Sequence, residues 1–268
     1  MTTLRRQPSA PAKPEREVEE AFDRIVDEGC TRLARPLPAL LATGLLGGID
    51  IGTGVLAYLL VLHYTGSKLF AGIGFSIGFV ALLLARSELF TENFLVPVTA
   101  AVAGQGRVSA LARLWSVTLV ANLVGGWLIV ALIITGLPEL DRVAVSAGTH
   151  YAELGVSLRS FVLAVLAGAV ITLMTRMQHA TDSLGVQLVP AILFGSLLPI
   201  GQLFHCVLDS LVMFAALIAG APFGYLDWLS ALGWSAFGNL VGGLVLVTAI
   251  RLLRVPHRVA EARGAVVQ

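Results

Sequence analysis

Charge is scarce in this chain: Asp, Glu, Lys and Arg make up 13% of its 268 residues, against 56% hydrophobic. A net charge near +1 excludes the basic footprint of a nucleic-acid partner, and no nucleic-acid motif is present. Cysteine is scarcer still. Cys30 falls in a charged stretch and Cys206 in an apolar one, so the pair is expected to be reduced small hydrophobes and no disulfide framework is expected. The N-terminal "MTTLRRQPSAPAKPEREVEE" leads into charge instead of an apolar h-region, so no cleavable signal peptide is expected and targeting falls to the first span. No cofactor and no metal are expected.

What the chain does have is apolar length and glycine, 28 residues of it where about 7% is usual. It reads as a membrane protein. Residues 1–13 form a basic tail expected to be disordered. Over 14–35, Val18, Phe22, Ile25, Val26 and Leu33 recur at helical spacing among charges, which predicts an amphipathic cytoplasmic helix, with proline at its start. Its place is the membrane interface, a neighbouring subunit or an ordinary surface. Residues 36–254 follow as a channel domain and 255–268 as a cytoplasmic tail.

Six apolar stretches, near 37–64, 68–101, 110–137, 160–180, 187–220 and 227–253, are each long enough to cross about 30 Å of hydrocarbon. Fourteen of the 18 Lys and Arg fall on the side of the N-terminal helix, the 102–113 connection, Arg176 and the C-terminal end. Lys68, Arg142 and Arg159 fall on the other. The positive-inside bias therefore predicts that both termini are cytoplasmic. Stretches two and five run to about 34 residues, roughly 50 Å as continuous helix, so both are expected to be broken. "RSELFTEN" interrupts one and "IGQLFHC", near Pro190 and Pro199, the other. Irregular backbone at membrane depth must be buried in protein or line a cavity, so the breaks should face a shared pathway.

An internal repeat supports this. NLVGG recurs at 122–126 and 239–243, an offset of 117 that pairs Asn122 and Gly125 with Asn239 and Gly242 as repeat packing positions and places Glu88 opposite His205. Halves of three spans each must insert in opposite orientations. Chance recurrence of packing residues is the alternative, since glycine favours helix contacts; Gly44, Gly48 and Gly52 on span one read the same way.

"SELFTENFLVP", "FHCVLD" and the twice-used "NLVGG" resemble the formate/nitrite transporter family over residues 14–254. The resemblance implies an all-α, aquaporin-like fold of six transmembrane helices in two inverted three-helix repeats. It also implies a homopentamer in the bacterial inner membrane, passing small monovalent anions or their protonated acids through a pore in each protomer. By that resemblance Thr91 and His205 are the central polar pair of the pore, and Phe75, Phe79, Leu89, Phe90 and Leu198 form hydrophobic constrictions around it.

The chemistry also stands alone. A weak-acid anion is costly to desolvate in an apolar constriction, its neutral form far less so, and histidine suits proton transfer near neutrality. The chain departs from the family pattern at Arg86, Ser87, Glu92, Phe204 and Asp209, and Gly168 replaces an asparagine of the fourth span. Glu88 is expected to anchor the broken helix by accepting backbone N–H bonds at a half-helix N-terminus. Arg86 is expected to pair with Glu92, Glu88 or Asp209 away from lipid, either structurally or for substrate selection. Two other classes were weighed. An aquaporin-like channel for neutral solutes would show paired Asn-Pro-Ala elements, which are missing. An intramembrane hydrolase built on Ser76 of "GFSIG" with His205 needs a strand-to-helix elbow, and no strand is predicted there.

Overall fold

The structure is a computed structural model that describes residues 13–266. The expected basic tail therefore lies outside the described residues, except for Lys13. Among the described residues every regular element is helical. In order these are α1 (Lys13–Ala34), α2 (Leu37–Thr65), α3 (Lys68–Phe75), α4 (Ile77–Ala85) and α5 (Val96–Val102). The middle of the chain forms α6 (Val108–Gly136), α7 (Asp141–Leu154) and α8 (Leu158–Gln178). The last part forms α9 (Leu184–Ile200), α10 (Cys206–Ile218), α11 (Tyr225–Val241), α12 (Ile250–Arg254) and α13 (Pro256–Val266). A 3-10 turn covers Phe90–Phe94, and a π-helical stretch, Gly242–Ala249, joins α11 to α12 at the second NLVGG.

Five of these stretches are long and apolar enough to cross a membrane: Leu37–Thr65, Lys68–Ala85, Val108–Gly136, Leu158–Gln178 and Tyr225–Arg254. The fifth apolar stretch of the sequence is instead two shorter helices, α9 and α10. Local chemistry sets the boundaries. The Ser67 side chain accepts from the Phe70 amide at the start of α3, and Ser157 and Ser160 cap the start of α8 reciprocally. Gly66, at φ 65, ends α2 in the left-handed region that costs glycine little.

The helices pack because their contact faces carry small residues. A Cβ on Gly48 would lie 2.1 Å from the Asn122 carbonyl oxygen, and one on Gly242 would lie 1.9 Å from that of Val165. So α2 closes on α6, and the π-helical stretch that follows α11 closes on α8, at backbone distance. The main core is built from Phe75, Phe79, Leu89, Phe90, Leu198 and their neighbours on α2, α7, α8 and α10. Helix α7 has no counterpart in the six-stretch reading. Its Gly148 lets it lie on α10, where a Cβ would meet the Ala216 side chain at 2.3 Å.

Two terminal elements pack onto the body of the protomer. Helix α1 packs on its own protomer, with Phe22, Ile25, Val26 and Leu33 buried and Gly29 against the Val96 carbonyl of α5. The 255–268 tail is helical as far as Val266. Arg258 donates to both carboxylate oxygens of Asp23 at 2.6 Å, His257 meets Glu19 at 3.0 Å, and Arg263 donates to the Val102 carbonyl at 2.7 Å.

Candidate functional site: two helix breaks meeting at a threonine and a histidine

Helix α4 ends at Arg86, φ 53, and α9 ends at Gln202, φ 47; these are the two non-glycine residues with positive φ among the described residues. The hydrogen bonds that close the two ends match one for one. The Arg86 and Ser87 amides donate to Leu83 and Leu82, and the Gln202 and Leu203 amides donate to Pro199 and Leu198. After each end the chain turns inward, and an asparagine from the following long helix holds it. Asn122 Nδ2 donates to the Gly44 and Glu88 carbonyls at 2.7 and 2.8 Å, and its Oδ1 accepts from the Phe90 amide at 2.9 Å. Asn239 Nδ2 donates to the Ala164 and Phe204 carbonyls at 2.8 and 2.9 Å, and its Oδ1 accepts from the Cys206 amide at 3.0 Å. Each asparagine thus satisfies three backbone groups that a broken, buried helix would leave orphaned.

The repeat is therefore real, but its offset at the breaks is 116. Glu88 corresponds to Phe204, and Leu89 to His205. The expectation that Glu88 and His205 are mates is off by one residue, because the offset read from NLVGG does not carry through the segment between each break and its asparagine.

The breaks meet at Thr91 and His205, both fully buried, with Thr91 Oγ1 2.9 Å from His205 Nε2. His205 also caps α10, where its Nδ1 accepts from the Leu208 amide at 3.1 Å. Since the amide can only donate, Nδ1 carries no proton, and the proton of the neutral ring sits on Nε2 and points at Thr91 Oγ1. The threonine hydroxyl proton is then donated to no protein group among the described residues. Around this pair Phe75, Phe79, Leu89, Phe90 and Leu198 are all buried, and Phe75 and Phe79 meet edge to face at 5.8 Å.

The charged residues fall differently from the expectation. Arg86 is exposed and makes no ion pair with Glu92, Glu88 or Asp209, because its left-handed turn directs it outward from the buried loop. Glu88 is buried, but its carboxylate accepts from Arg35 Nη1 and lies 3.9 Å from Arg32 Nε; it caps no half-helix. Its second oxygen is buried without a partner. Glu92 is also buried and forms neither ion pair nor side-chain hydrogen bond among the described residues. Asp209 lies one turn after His205 with both oxygens buried and, among the described residues, no ion-pair partner, near the phenols of Tyr58 and Tyr151.

Sequence reasoning missed the partners that α1 supplies. Arg32 donates to Glu28 through Nε and Nη2, and to Asn93 Oδ1 through Nη1 at 2.9 Å. Glu28 also meets His179 Nε2 at 2.8 Å. Burial opposes the charge on Glu28, but His179 and then Arg32 hold its carboxyl well below the usual range. These groups, with Arg35, Glu88 and Glu92, line a cavity of about 710 Å³ between α1, the first break and the turn after α8. A signal was present in the charged stripe Arg24, Glu28, Arg32, Arg35 at near-helical spacing, opposite the apolar face. Ser76, the nucleophile of the hydrolase reading, donates to the Ile73 carbonyl at the α3–α4 junction, and His205 has Thr91 as its partner instead.

Apolar helices, a repeat of two broken segments, and a threonine–histidine pair where the breaks meet are the features of a membrane channel or transporter. Comparison with known proteins agrees. The profile of the family described as Formate/nitrite transporter matches residues 19–253, so the chain belongs to the formate/nitrite transporter family. It is 25% identical to "Inner membrane protein YfdC" of Escherichia coli (strain K12), over 91% of this chain and 80% of that one. It is 28% identical to "Uncharacterized transporter YrhG" of Bacillus subtilis (strain 168), over 88% and 92%. It is 24% identical to "Formate channel BtFdhC" of Bacillus thuringiensis, over 84% and 90%. Among solved structures, an "FNT family ion channel" superposes with a TM-score of 0.77 at 16% identity, covering 88% of this chain and 99% of that one. A "Pentameric formate channel with formate bound" superposes at 0.65 with 21% identity, covering 81% and 96%. The chain is thus an integral membrane protein of this fold.

Proposed function

We propose that this protein passes small monovalent weak-acid anions, formate or nitrite among them, through a path in each protomer of a homopentamer. In this reading the chain crosses the membrane six times as two oppositely inserted halves, with both termini cytoplasmic. The observation that carries the reading is the Thr91–His205 contact, the one polar pair where both breaks meet inside an apolar ring. With Thr91 Oγ1 accepting from His205, the threonine hydroxyl has its proton free to donate to an anion oxygen. Phe75, Phe79, Leu89, Phe90 and Leu198, all buried, act as the constrictions around the pair. Transferring a carboxylate-sized anion into a dry constriction costs several kcal/mol even after relaxation, and its neutral acid costs far less. Passage of the acid, or of an anion that receives a proton, is therefore the favoured route.

The purified protein in proteoliposomes tests this with formate, nitrite, acetate, lactate and hydrosulfide supplied separately. Formate or nitrite flux well above protein-free vesicles is expected, falling with anion size. Glycerol or water flux without anion flux would replace this reading with a neutral-solute channel.

A further inference from the structure

We propose that Glu92 is the group that exchanges a proton with the weak acid on the α1 side of the Thr91–His205 pair. This rests on the reading that weak-acid anions use this path, and it adds the residue that decides in which protonation state they enter the constriction. Glu92 follows Thr91 directly in the 3-10 turn, is buried, and lines the cavity of about 710 Å³. Its neighbour in the chain, Thr91, makes the contact with His205, so Glu92 is the cavity-lining residue adjoining the pair.

The case is one of elimination by hydrogen bonds. His205 has both ring nitrogens engaged, Nδ1 by the Leu208 amide and Nε2 by Thr91, so a second proton on the ring would break the cap of α10. Glu88 is held by Arg35. Glu28 is held by Arg32 and His179, and the other nitrogen of His179 lies 2.8 Å from the Thr175 carbonyl. Arg32, the cation that faces Glu92, spends three of its N–H groups on Glu28 and Asn93. Glu92 remains as the buried carboxylate of the cavity with neither oxygen bonded among the described residues. The charges facing it are Arg32 and Glu28 on α1, His179 after α8, and Glu88 in its own loop. An uncommitted carboxyl at the entrance to a dry constriction can hold a proton, give it up, and recover it from cavity water.

The step balances without redox. The O–H bond of the Glu92 carboxylic acid breaks, an O–H bond forms on the anion, and neutral acid moves on while Glu92 carboxylate takes a proton from cavity water. In the opposite direction Glu92 accepts the proton and releases the anion. Ionised Glu92 also repels an unprotonated anion, so one residue both couples the proton and filters the charge.

The experiment measures formate uptake and lumenal acidification together in proteoliposomes, after subtracting the leak of protein-free vesicles. In Glu92→Gln, which keeps shape and polarity, the proton-to-formate ratio is expected to fall at least about threefold and the pH profile to flatten, with assembly unchanged. Glu92→Asp keeps a carboxyl and should retain the ratio; Glu92→Ser is a second non-titrating variant should the glutamine form fail to assemble. His205→Asn should lower flux while leaving the ratio as in the wild type. Wild-type ratio and pH profile in both non-titrating variants would overturn the role of Glu92 while leaving anion transport standing. Absence of formate and nitrite flux in the wild type would overturn both.

Discussion

The two breaks use the same backbone device with opposite linings. In the first, the residues after the left-handed turn are Ser87, Glu88, Leu89, Phe90, Thr91 and Glu92; in the second, at an offset of 116, they are Leu203, Phe204, His205, Cys206, Val207 and Leu208. The carbonyls of Glu88 and Phe204 accept from matching asparagines, yet one side chain is a carboxylate clamped by α1 and the other an aromatic stacked at 6.2 Å on Tyr151. Backbone satisfaction at a buried break is a demand that both halves share, so the repeat preserves it. Side-chain chemistry answers to what each half faces. The first break faces a polar cavity roofed by α1, and the second faces the apolar core, so the ion-paired charges gathered beside the first, while Asp209, among the described residues, stands without a cation beside the second.

That comparison can be broken most severely at the asparagines. Asn122→Leu and Asn239→Leu each orphan three backbone groups, at about 1–3 kcal/mol apiece, and both should abolish recovery of assembled protein. Size-exclusion chromatography in detergent checks this; tolerance of one and loss with the other would mean the halves are not energetic equivalents. Arg35→Ala is next. It leaves buried Glu88 with only Arg32, 3.9 Å away and committed to Glu28 and Asn93, and should cost about 3 kcal/mol, largely restored by adding Glu88→Gln, as read from thermal unfolding of the single and double variants. Phe204→Leu, at the corresponding position of the second half, should show no such coupling to α1.

Smaller effects sharpen the comparison. Arg86→Gly and Gln202→Gly relieve a left-handed residue in each half and should each stabilise by up to about 1 kcal/mol, measured by melting temperature. Equal gains are expected, because the closing hydrogen bonds are the same. The smallest effect concerns pH. The carboxyl of Glu28 is depressed in the folded state, so its contribution to docking α1 is fully present above the unfolded value of about 4.3 and is lost as pH falls through the folded value. Glu28→Gln should remove that acid limb from the melting profile and lower the melting temperature at neutral pH only modestly, since the Glu28 side chain is 41% exposed and solvent screens its pairs.

Much of the fold was legible in the sequence because apolar length and glycine spacing report directly on membrane packing. Gly44, Gly48 and Gly52 do face α6, and NLVGG does mark the two asparagines that hold the breaks. The Thr91–His205 pair was legible only through the family resemblance, since nothing in spacing alone brings residues 114 apart into contact. The ion pairs were not. Arg86 and Glu92 are close in sequence, and a rule that charges at membrane depth must pair favoured the nearest partner; the left-handed turn at Arg86 sends it outward instead. The true partners of Glu88 are Arg32 on α1 and Arg35 just past its end; the apolar stripe of α1 predicted a helix but not the surface it covers. Helix α7 was overlooked because Val143, Ala144, Ala147, Gly148 and Tyr151 repeat at helical spacing over too short and too polar a stretch to register as a span.

The most direct test of the central claim, that the path for anions runs through the meeting point of the two breaks, is formate flux through Thr91→Val. The substitution keeps volume and β-branching and removes the hydroxyl proton left free at the Thr91–His205 pair. A hydrogen bond to a charged group is worth about 1.5–3 kcal/mol, and each ~1.4 kcal/mol is tenfold, so flux should fall by about tenfold or more with assembly retained and the melting temperature lowered only modestly, as His205 Nε2–H loses its acceptor. Wild-type formate flux in an intact Thr91→Val assembly would contradict the account.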